Sequence, residues 1–272
     1  MNIIYFIFNQ ITRILGVLFL IKKIGIVDSY KILSDIIVKT PKDYEIKFKF
    51  RGKHTKLRIN SAKTDLAMLT EVYLFRSYSF IPSNEPFTII DAGSNKGFTA
   101  VYLSNLYPNA KIICFEPNAN LIPALNENIL FNNITATVYQ EALSNYDGTT
   151  SFEIGENHQY SHLGSAMKKN GNSNNVKVSK LSSKFKPGEI DILKLDVEGE
   201  ERLIINDEFF KLNISVVAME IHHNIVDYKD LIRKFESNGY KIKAQKIQHY
   251  LLNPIHPYPI LIAEKDSYKN SK

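Results

Sequence analysis

The chain has 272 residues, of which 44% are hydrophobic and 23% charged, enough for one large domain with an N-terminal appendage but too few for two full domains. Ordinary glycine and proline content (12 and 10 residues) and a single cysteine exclude disordered, collagenous and disulfide-scaffolded chains. The formal charge of +6 admits anionic partners such as an acidic glycan or a membrane surface, but the lysines are dispersed and no nucleic-acid module is visible, so no nucleic-acid partner is expected.

Residues 3–21 are dominated by Ile, Leu and Phe, interrupted by Asn9, Gln10 and Arg13, which would share one helical face. No basic residue precedes this stretch and no small-residue cleavage site is clear, which argues against a cleaved signal peptide. It reads as a spanning anchor, an amphipathic helix lying on a membrane, or a helix packed on the domain or a partner. A central arginine costs about 2.5–3.5 kcal/mol in a span, so surface attachment or packing is favoured. In a spanning arrangement, Lys22 and Lys23 would leave the remainder facing the cytoplasm. Residues 1–43 are assigned to this apolar helical segment. A cytoplasmic location is expected, with peripheral contact to the cytoplasmic face of a membrane where the segment docks. The lone Cys114, inside the apolar run Ile112-Ile113-Cys114-Phe115, fits burial in a reducing compartment.

Residues 44–60 alternate apolar and polar around Gly52 and predict a β-hairpin. Leu66, Leu69, Val72 and Tyr73 follow at helical spacing, with Thr64 or Asp65 as cap. Residues 44–84 thus form a hairpin and helix ahead of a core spanning 85–272. From Phe87 the pattern alternates: strand to Asp91, helix 98–106, strand 111–116, helix 118–131. That alternation predicts an α/β fold with a doubly wound, mostly parallel sheet. Further strands are predicted at 135–143, 190–196 and 214–221, then a helix at 228–236 and closing strands at 240–244 and 258–263, which suit an antiparallel edge pair. The polar stretch between Ile154 and Val178 reads as a long loop, a candidate substrate lid.

The first loop, Asp91-Ala92-Gly93-Ser94-Asn95-Lys96-Gly97, follows an apolar strand ending in acid. Ligands of open parallel sheets bind at the carboxyl ends of strands, where glycines let backbone approach them. Gly93 and Gly97 are spaced GxxxG, so the dinucleotide pattern GxGxxG is not met. A cofactor with an amino acid and a sulfonium in place of a pyrophosphate suits this acidic strand end. Glu116 ends the next strand, 25 residues after Asp91, where ribose hydroxyls of a bound adenosine would lie.

With Phe115-Glu116-Pro117, Glu141-Ala142-Leu143-Ser144 followed by Gly148, Asp191 through Glu200 (containing Leu193-Lys194-Leu195-Asp196-Val197-Glu198-Gly199) and Glu220-Ile221-His222 in order behind that loop, the chain resembles the FkbM-type methyltransferases from about Asp65 to Gln245. The resemblance implies a class I methyltransferase (Rossmann-like) sheet and S-adenosyl-L-methionine as cofactor. It implies cofactor binding by Asp91, Gly93, Ser94, Asn95 and Gly97, with Glu116, Pro117 and Asn118 at the ribose and Glu141 and Ala142 near the adenine. Ser94 stands where the family often has Ala. Family activities are largely O-methylations of sugar or natural-product hydroxyls, so the acceptor is expected to be a small molecule or glycan. Alternation along the fourth block puts Lys194 and Asp196 on one side near the strand end, with Glu198 in the following turn. Deprotonating a hydroxyl benefits from a general base. The candidates are His222, Glu198 and Asp196, with Lys194 orienting a carboxylate. No compact metal motif is visible, and no metal is expected. A nicotinamide-dependent oxidoreductase and a non-catalytic binding protein retaining the fold are the competing readings.

Overall fold

A computed structural model describes residues 3–40, 42–60, 63–79, 82, 84–153, 162–163, 173–221, 227–245 and 260–266. Two helices open the chain, α1 (Ile3–Ile24) and α2 (Ile26–Val38), broken at Gly25. The predicted hairpin is β1 (Asp43–Phe50) and β2 (Lys53–Asn60), paired in antiparallel register about Arg51 and Gly52. Its alternation is read out directly: Ile46, Phe48, Phe50, Thr55, Leu57 and Ile59 are buried, and the strand residues alternating with them are not. Helix α3 (Lys63–Leu69) follows, and its last turns, Thr70–Phe75, widen into a π-helix.

The main sheet has seven strands: β3 (Thr88–Ala92), β4 (Lys111–Phe115), β5 (Ala136–Tyr139), β10 (Ile192–Leu195), β11 (Val216–Glu220), β12 (Tyr240–Gln245) and β13 (Ile260–Lys265), in the order β12-β13-β11-β10-β3-β4-β5. The five from β11 to β5 are parallel, and β13 runs antiparallel to both β11 and β12. The expected closing edge pair is therefore present. Helices α4 (Phe98–Leu106) and α5 (Ile122–Phe131) connect the strands on one side of β3; α6 (Glu201–Ile204), α7 (Asp207–Lys211) and α8 (Tyr228–Ser237) accompany the other half. This is the doubly wound, mostly parallel, Rossmann-like architecture expected from the sequence, with helices and a hairpin ahead of the sheet.

From β3 the chain winds outward through β4 and β5, then returns to lay β10 on the other side of β3. The switch point lies between β3 and β10, where ligands bind in open α/β sheets. One hydrophobic cluster covers one face of the sheet and includes Phe19, Leu20 and Ile32 of the N-terminal helices, the hairpin side chains, Tyr73, Phe98 and Ile192. The opposite face packs Ile90, Leu193, Phe209, Phe210 and Phe235. The sheet's alternating faces are thus both buried, which explains the continuous apolar runs in its strands.

Two expectations are corrected. The predicted strand 135–143 is broken at Gln140: β5 ends in the main sheet, and β6 (Glu141–Leu143) joins a second sheet of order β6-β9-β7-β8. In that sheet β7 is Gly148–Glu153, β8 His162–Leu163 and β9 Ser173–Ser179. The end of the expected lid, from Ser173, is thus a paired strand rather than loop. Residues 154–161 and 164–172 lie outside the described residues.

Candidate active site at the switch point

Asp91 and Lys194 are direct partners in the parallel register of β3 and β10, so alternation aims both side chains at the same sheet face. Lys194 Nζ lies 3.2 Å from Asp91 Oδ1 and 3.3 Å from Asp196 Oδ2. It also donates to the carbonyl oxygens of Ala92 at 3.1 Å and Gly93 at 2.7 Å. Burial acts to lower its pKa, but the carboxylates of Asp91 and Asp196 outweigh that penalty and raise it, keeping the ammonium charged. A single buried cation therefore ties the end of β3, the start of its loop and the end of β10 together. The Asp91 carboxylate is fully buried, and burial raises its pKa against the pull of the Lys194 ammonium and the Ala100 N–H.

The loop after β3 curls over the end of β4. The N–H groups of Gly93 and Ser94 both donate to Phe115 O at 3.0 Å, and the Ser94 hydroxyl donates to Asp91 O at 2.6 Å. Ser94 is therefore a hydrogen-bonding buttress as well as a small residue. Gly93 (φ 74°) is required by more than its dihedral: a Cβ there would lie 1.8 Å from the Asp196 carbonyl oxygen. At Gly97 a Cβ would meet Leu125 Cδ1 at 2.5 Å. Gly93 is thus required by close packing against backbone, and Gly97 (φ 78°) by its left-handed conformation. The sequence reading gave them to the cofactor alone.

Glu116, just past β4, is buried and receives backbone N–H groups on both oxygens: Asn95 to Oε2 at 2.7 Å and Asn118 to Oε1 at 2.8 Å. Burial pushes its pKa up to about 7, against the pull of those two amides. Asn118 is buried and accepts from Asn120 N at 3.0 Å, shaping the turn into α5, while Pro117 is half-buried.

Beyond β10, Glu198 (φ 53°) and Gly199 (φ 102°) are both left-handed, an uncommon conformation for glutamate that places it in a sharp turn beside Asp196. Glu201 Oε1 accepts from Val197 N, and Glu200 Oε2 accepts the Ser144 hydroxyl at 2.5 Å, so the turn is held from two sides. Glu220, at the end of β11, is buried on the face shared with Ala218. His222 lies outside the described residues. Among those described, no group of three or more His, Cys, Asp and Glu side chains is arranged to hold a metal ion.

Glu141 faces the second sheet. Its oxygens take Lys177 Nζ at 2.8 Å, Ser179 Oγ at 2.6 Å and Lys184 Nζ at 2.8 Å; burial opposes them, yet the net effect lowers its pKa to about 2. Ala142 packs with Val176 and Val178. Their side chains are thus engaged in holding the second sheet. Asp191, first residue of the most specific block, sits at the opposite end of the sheet, accepting from Phe87 N and Thr88 N at 2.9 Å. It fixes the start of β3 and does not reach the switch point.

Sequence reasoning missed Tyr78 and Glu71. Both are buried, and Lys194 Nζ lies 5.7 Å from the Tyr78 ring centroid. The Tyr78 hydroxyl is driven well above its usual pKa, chiefly by burial and then by the charges of Asp196, Glu71, Glu220 and Asp91. The π-helical turn 70–75 supplies Glu71, and such turns recur at functional sites. Apolar periodicity does not distinguish a π turn from an α turn.

A cavity of about 430 Å³ opens on the outer side of Asn95 and Lys96, between the hairpin, α3 and α5. Its charged walls are mutually paired: Lys96 Nζ with Asp65 at 2.7 Å, and Arg58 with Glu127 at 2.7 Å and Asp43 at 3.0 Å. Buried Asn128 donates to Lys96 O at 2.8 Å and accepts from Arg58 N at 2.6 Å. The hairpin is thereby clamped to the loop after β3.

A family model described as the Methyltransferase FkbM domain matches residues 91–242. Methyltransferase 1 of Beauveria bassiana (strain ARSEF 2860) is 22% identical, the alignment covering 65% of this chain and 81% of that protein. Methyltransferase sdnD of Sordaria araneosa is 30% identical, covering 51% of this chain and 67% of that protein. Among solved structures, the methyltransferase FkbM of Methylobacillus flagellatus KT is similar at 12% identity and a TM-score of 0.47, over 68% of this chain; this chain spans 45% of that one.

Proposed function

This chain belongs to the FkbM methyltransferase family, and from that membership we propose that it transfers a methyl group from S-adenosyl-L-methionine to a hydroxyl of a sugar, glycolipid or natural product. The observation that carries the cofactor assignment is the pair of acids at adjacent strand ends, Asp91 and Glu116, on either side of the loop 93–97. Asp91 presents a buried carboxylate with unfilled acceptor capacity, which fits a cofactor's amino group. Glu116 has one lone pair on each oxygen left after its two backbone bonds, which fits two ribose hydroxyls. When bound, the cofactor supplies an electrophilic methyl group.

The chain's own residues position and deprotonate the acceptor. Lys194 holds the Asp196 carboxylate at a set orientation beside the strand end, so Lys194 is a positioning residue in this reading. Asp196, Glu198 and His222 are the candidates to take the acceptor hydroxyl's proton. Asp196 is only partly exposed and already paired with the Lys194 ammonium; Glu198 sits in the turn beside it.

Calorimetric titration tests the cofactor: S-adenosyl-L-methionine and S-adenosyl-L-homocysteine should bind, and NAD should not. Binding of NAD alone would replace this reading with a nicotinamide-dependent oxidoreductase. Mass spectrometry of glycans and lipids from cells with and without the protein should reveal a lost methyl group; cofactor binding without any methylated product would favour a non-catalytic role. Glu198→Gln and His222→Ala should lower turnover at least tenfold with cofactor binding intact, and unchanged turnover in both would remove them from the reaction.

A further inference from the structure

We propose that the outer face of α1 and α2 docks on an anionic lipid bilayer, lying in the interface without crossing it. The two helices bury one side against the domain: Phe19, Leu20 and Ile32 join the core, Ser29 and Asp35 are buried beside them, and Gly16 sits against Thr70. An ordinary amphipathic helix packed in this way shows water a polar face. On the described residues of these helices the outward face is largely apolar instead. Ile14 (58%), Leu15 (41%) and Leu18 (55%) are exposed on α1, and Ile26 (69%), Val27 (63%), Tyr30 (72%), Ile37 (78%) and Val38 (65%) on α2.

Helical phase makes this a surface rather than a scatter. At 3.6 residues per turn, Ile26, Ile37, Tyr30, Val27 and Val38 fall within an arc of about 120° on α2, and Ile14, Leu18 and Leu15 within about 100° on α1. Among the described residues, these eight are the majority of the exposed large hydrophobics; the others are Phe87, Leu130 and Tyr146. Isolated exposed apolar residues need no explanation, but a concentration of this kind marks an interaction site.

Charge selects the occupant. Lys22 lies inside the α1 arc and Lys39 follows the end of α2; both are exposed. Asp28 is exposed and paired with Lys31 at 3.2 Å, while Asp35 is buried and accepts Lys42 and Tyr44. An apolar stripe edged by lysines, with its acids neutralised, matches a surface of acyl chains beneath anionic headgroups. No described helix is long and apolar enough to cross a membrane, so the chemistry is that of an interfacial helix pair.

The test is sedimentation of the full chain with vesicles of phosphatidylcholine alone and with 30% phosphatidylglycerol, followed by sizing without lipid. Wild type should bind the anionic vesicles and weaken on raising salt from 0.05 to 0.5 M. Leu18→Glu/Tyr30→Glu/Ile37→Glu should lose at least tenfold in binding while keeping its circular dichroism and thermal transition. As a second variant that leaves the stripe intact, Lys22→Gln/Lys39→Gln should cost about 25-fold on anionic vesicles, at roughly fivefold per lysine. Three results overturn the proposal: no binding to either vesicle, binding indifferent to both variants, or a lipid-free dimer that Leu18→Glu/Tyr30→Glu/Ile37→Glu makes monomeric, which would assign the face to a second copy.

Discussion

Glu116 gives the sharpest test of how the site holds a nucleoside. Its pKa stands at about 7 in the protein alone, raised chiefly by burial, so at pH 6 roughly a tenth of molecules carry the carboxylate and at pH 8 roughly nine tenths. Ribose hydroxyls donate hydrogen bonds and therefore need the ionised form. Cofactor affinity should rise about tenfold from pH 6 to pH 8, with about half a proton released on binding at pH 7. The apoprotein should respond in the opposite sense. A carboxyl whose folded pKa lies above its unfolded value of 4.5 contributes stability that is complete below that value and lost as pH rises through 7, up to about 3 kcal/mol. Thermal unfolding should show the apoprotein weakening from pH 5 to 8 and the cofactor complex weakening much less. The assay is calorimetry with S-adenosyl-L-homocysteine at pH 6, 7 and 8 in two buffers of different ionisation enthalpy. The ligand's own amino group titrates near pH 8, and Glu116→Gln is the control: it keeps the ligand's titration and removes the protein's. The same substitution turns an amide NH₂ toward either Asn95 N or Asn118 N, so it should also cost about 1–3 kcal/mol of stability. Identical pH profiles for wild type and Glu116→Gln would refute the assignment of Glu116 to the ribose.

Lys194→Met should destabilise by about 3–5 kcal/mol in urea, because it leaves Asp91 and Asp196 facing each other without their shared cation and strips donors from two carbonyls; a loss under 1 kcal/mol would show that the buried ammonium is not organising the site. Gly93→Ala should abolish cofactor binding by at least 100-fold, since the new methyl must displace the Asp196 carbonyl that now lies against Gly93, and near-normal affinity would show the turn after β10 to be freely movable. Asp65→Asn removes the charge that pairs Lys96 and weakens the acceptor for Asn60 N, and should cost about 2 kcal/mol by thermal unfolding; a change below about 0.5 kcal/mol would mean that the clamp between hairpin and loop contributes nothing.

Much of the sheet was legible because its strands are short apolar runs ending in chemistry-bearing residues. Asp91, Glu116, Asp196 and Glu220 each mark a carboxyl end, and β12 and β13 fall close to the predicted 240–244 and 258–263, although periodicity alone could not orient them. Gln140 hid a change of sheet, since nothing in the run 135–143 signals that β6 pairs with a strand more than thirty residues later. Strand β9 fell inside the stretch read as a polar loop and β7 was given no element, because their sequences are rich in Gly, Thr, Ser and Asn; pairing overrode that composition. At the site, alternation correctly brought Lys194 and Asp91 to one face. It could not show that Glu141 is satisfied by two lysines and a serine from other elements, or that Asp191 serves the wrong end of the sheet, since both are facts of tertiary packing.

The division of the chain into appendage and core, natural in one dimension, has no counterpart in how the site is built. Tyr78 and Glu71 precede the first strand of the sheet, yet they lie among the carboxylates that surround Lys194. Asp65 and the hairpin, through Asn128 and Lys96, brace the loop whose Asn95 amide holds Glu116. The acids of the sheet, once buried, need compensation that the sheet alone does not supply. Lys194 pairs with two of them, Asp91 and Asp196, and Leu69, Val72, Tyr73 and Tyr78 from the segment before the sheet are buried in the core on one of its faces. A truncation beginning at residue 85 would therefore expose Lys194 and its carboxylates together, and should lose cofactor affinity even where the remaining sheet folds.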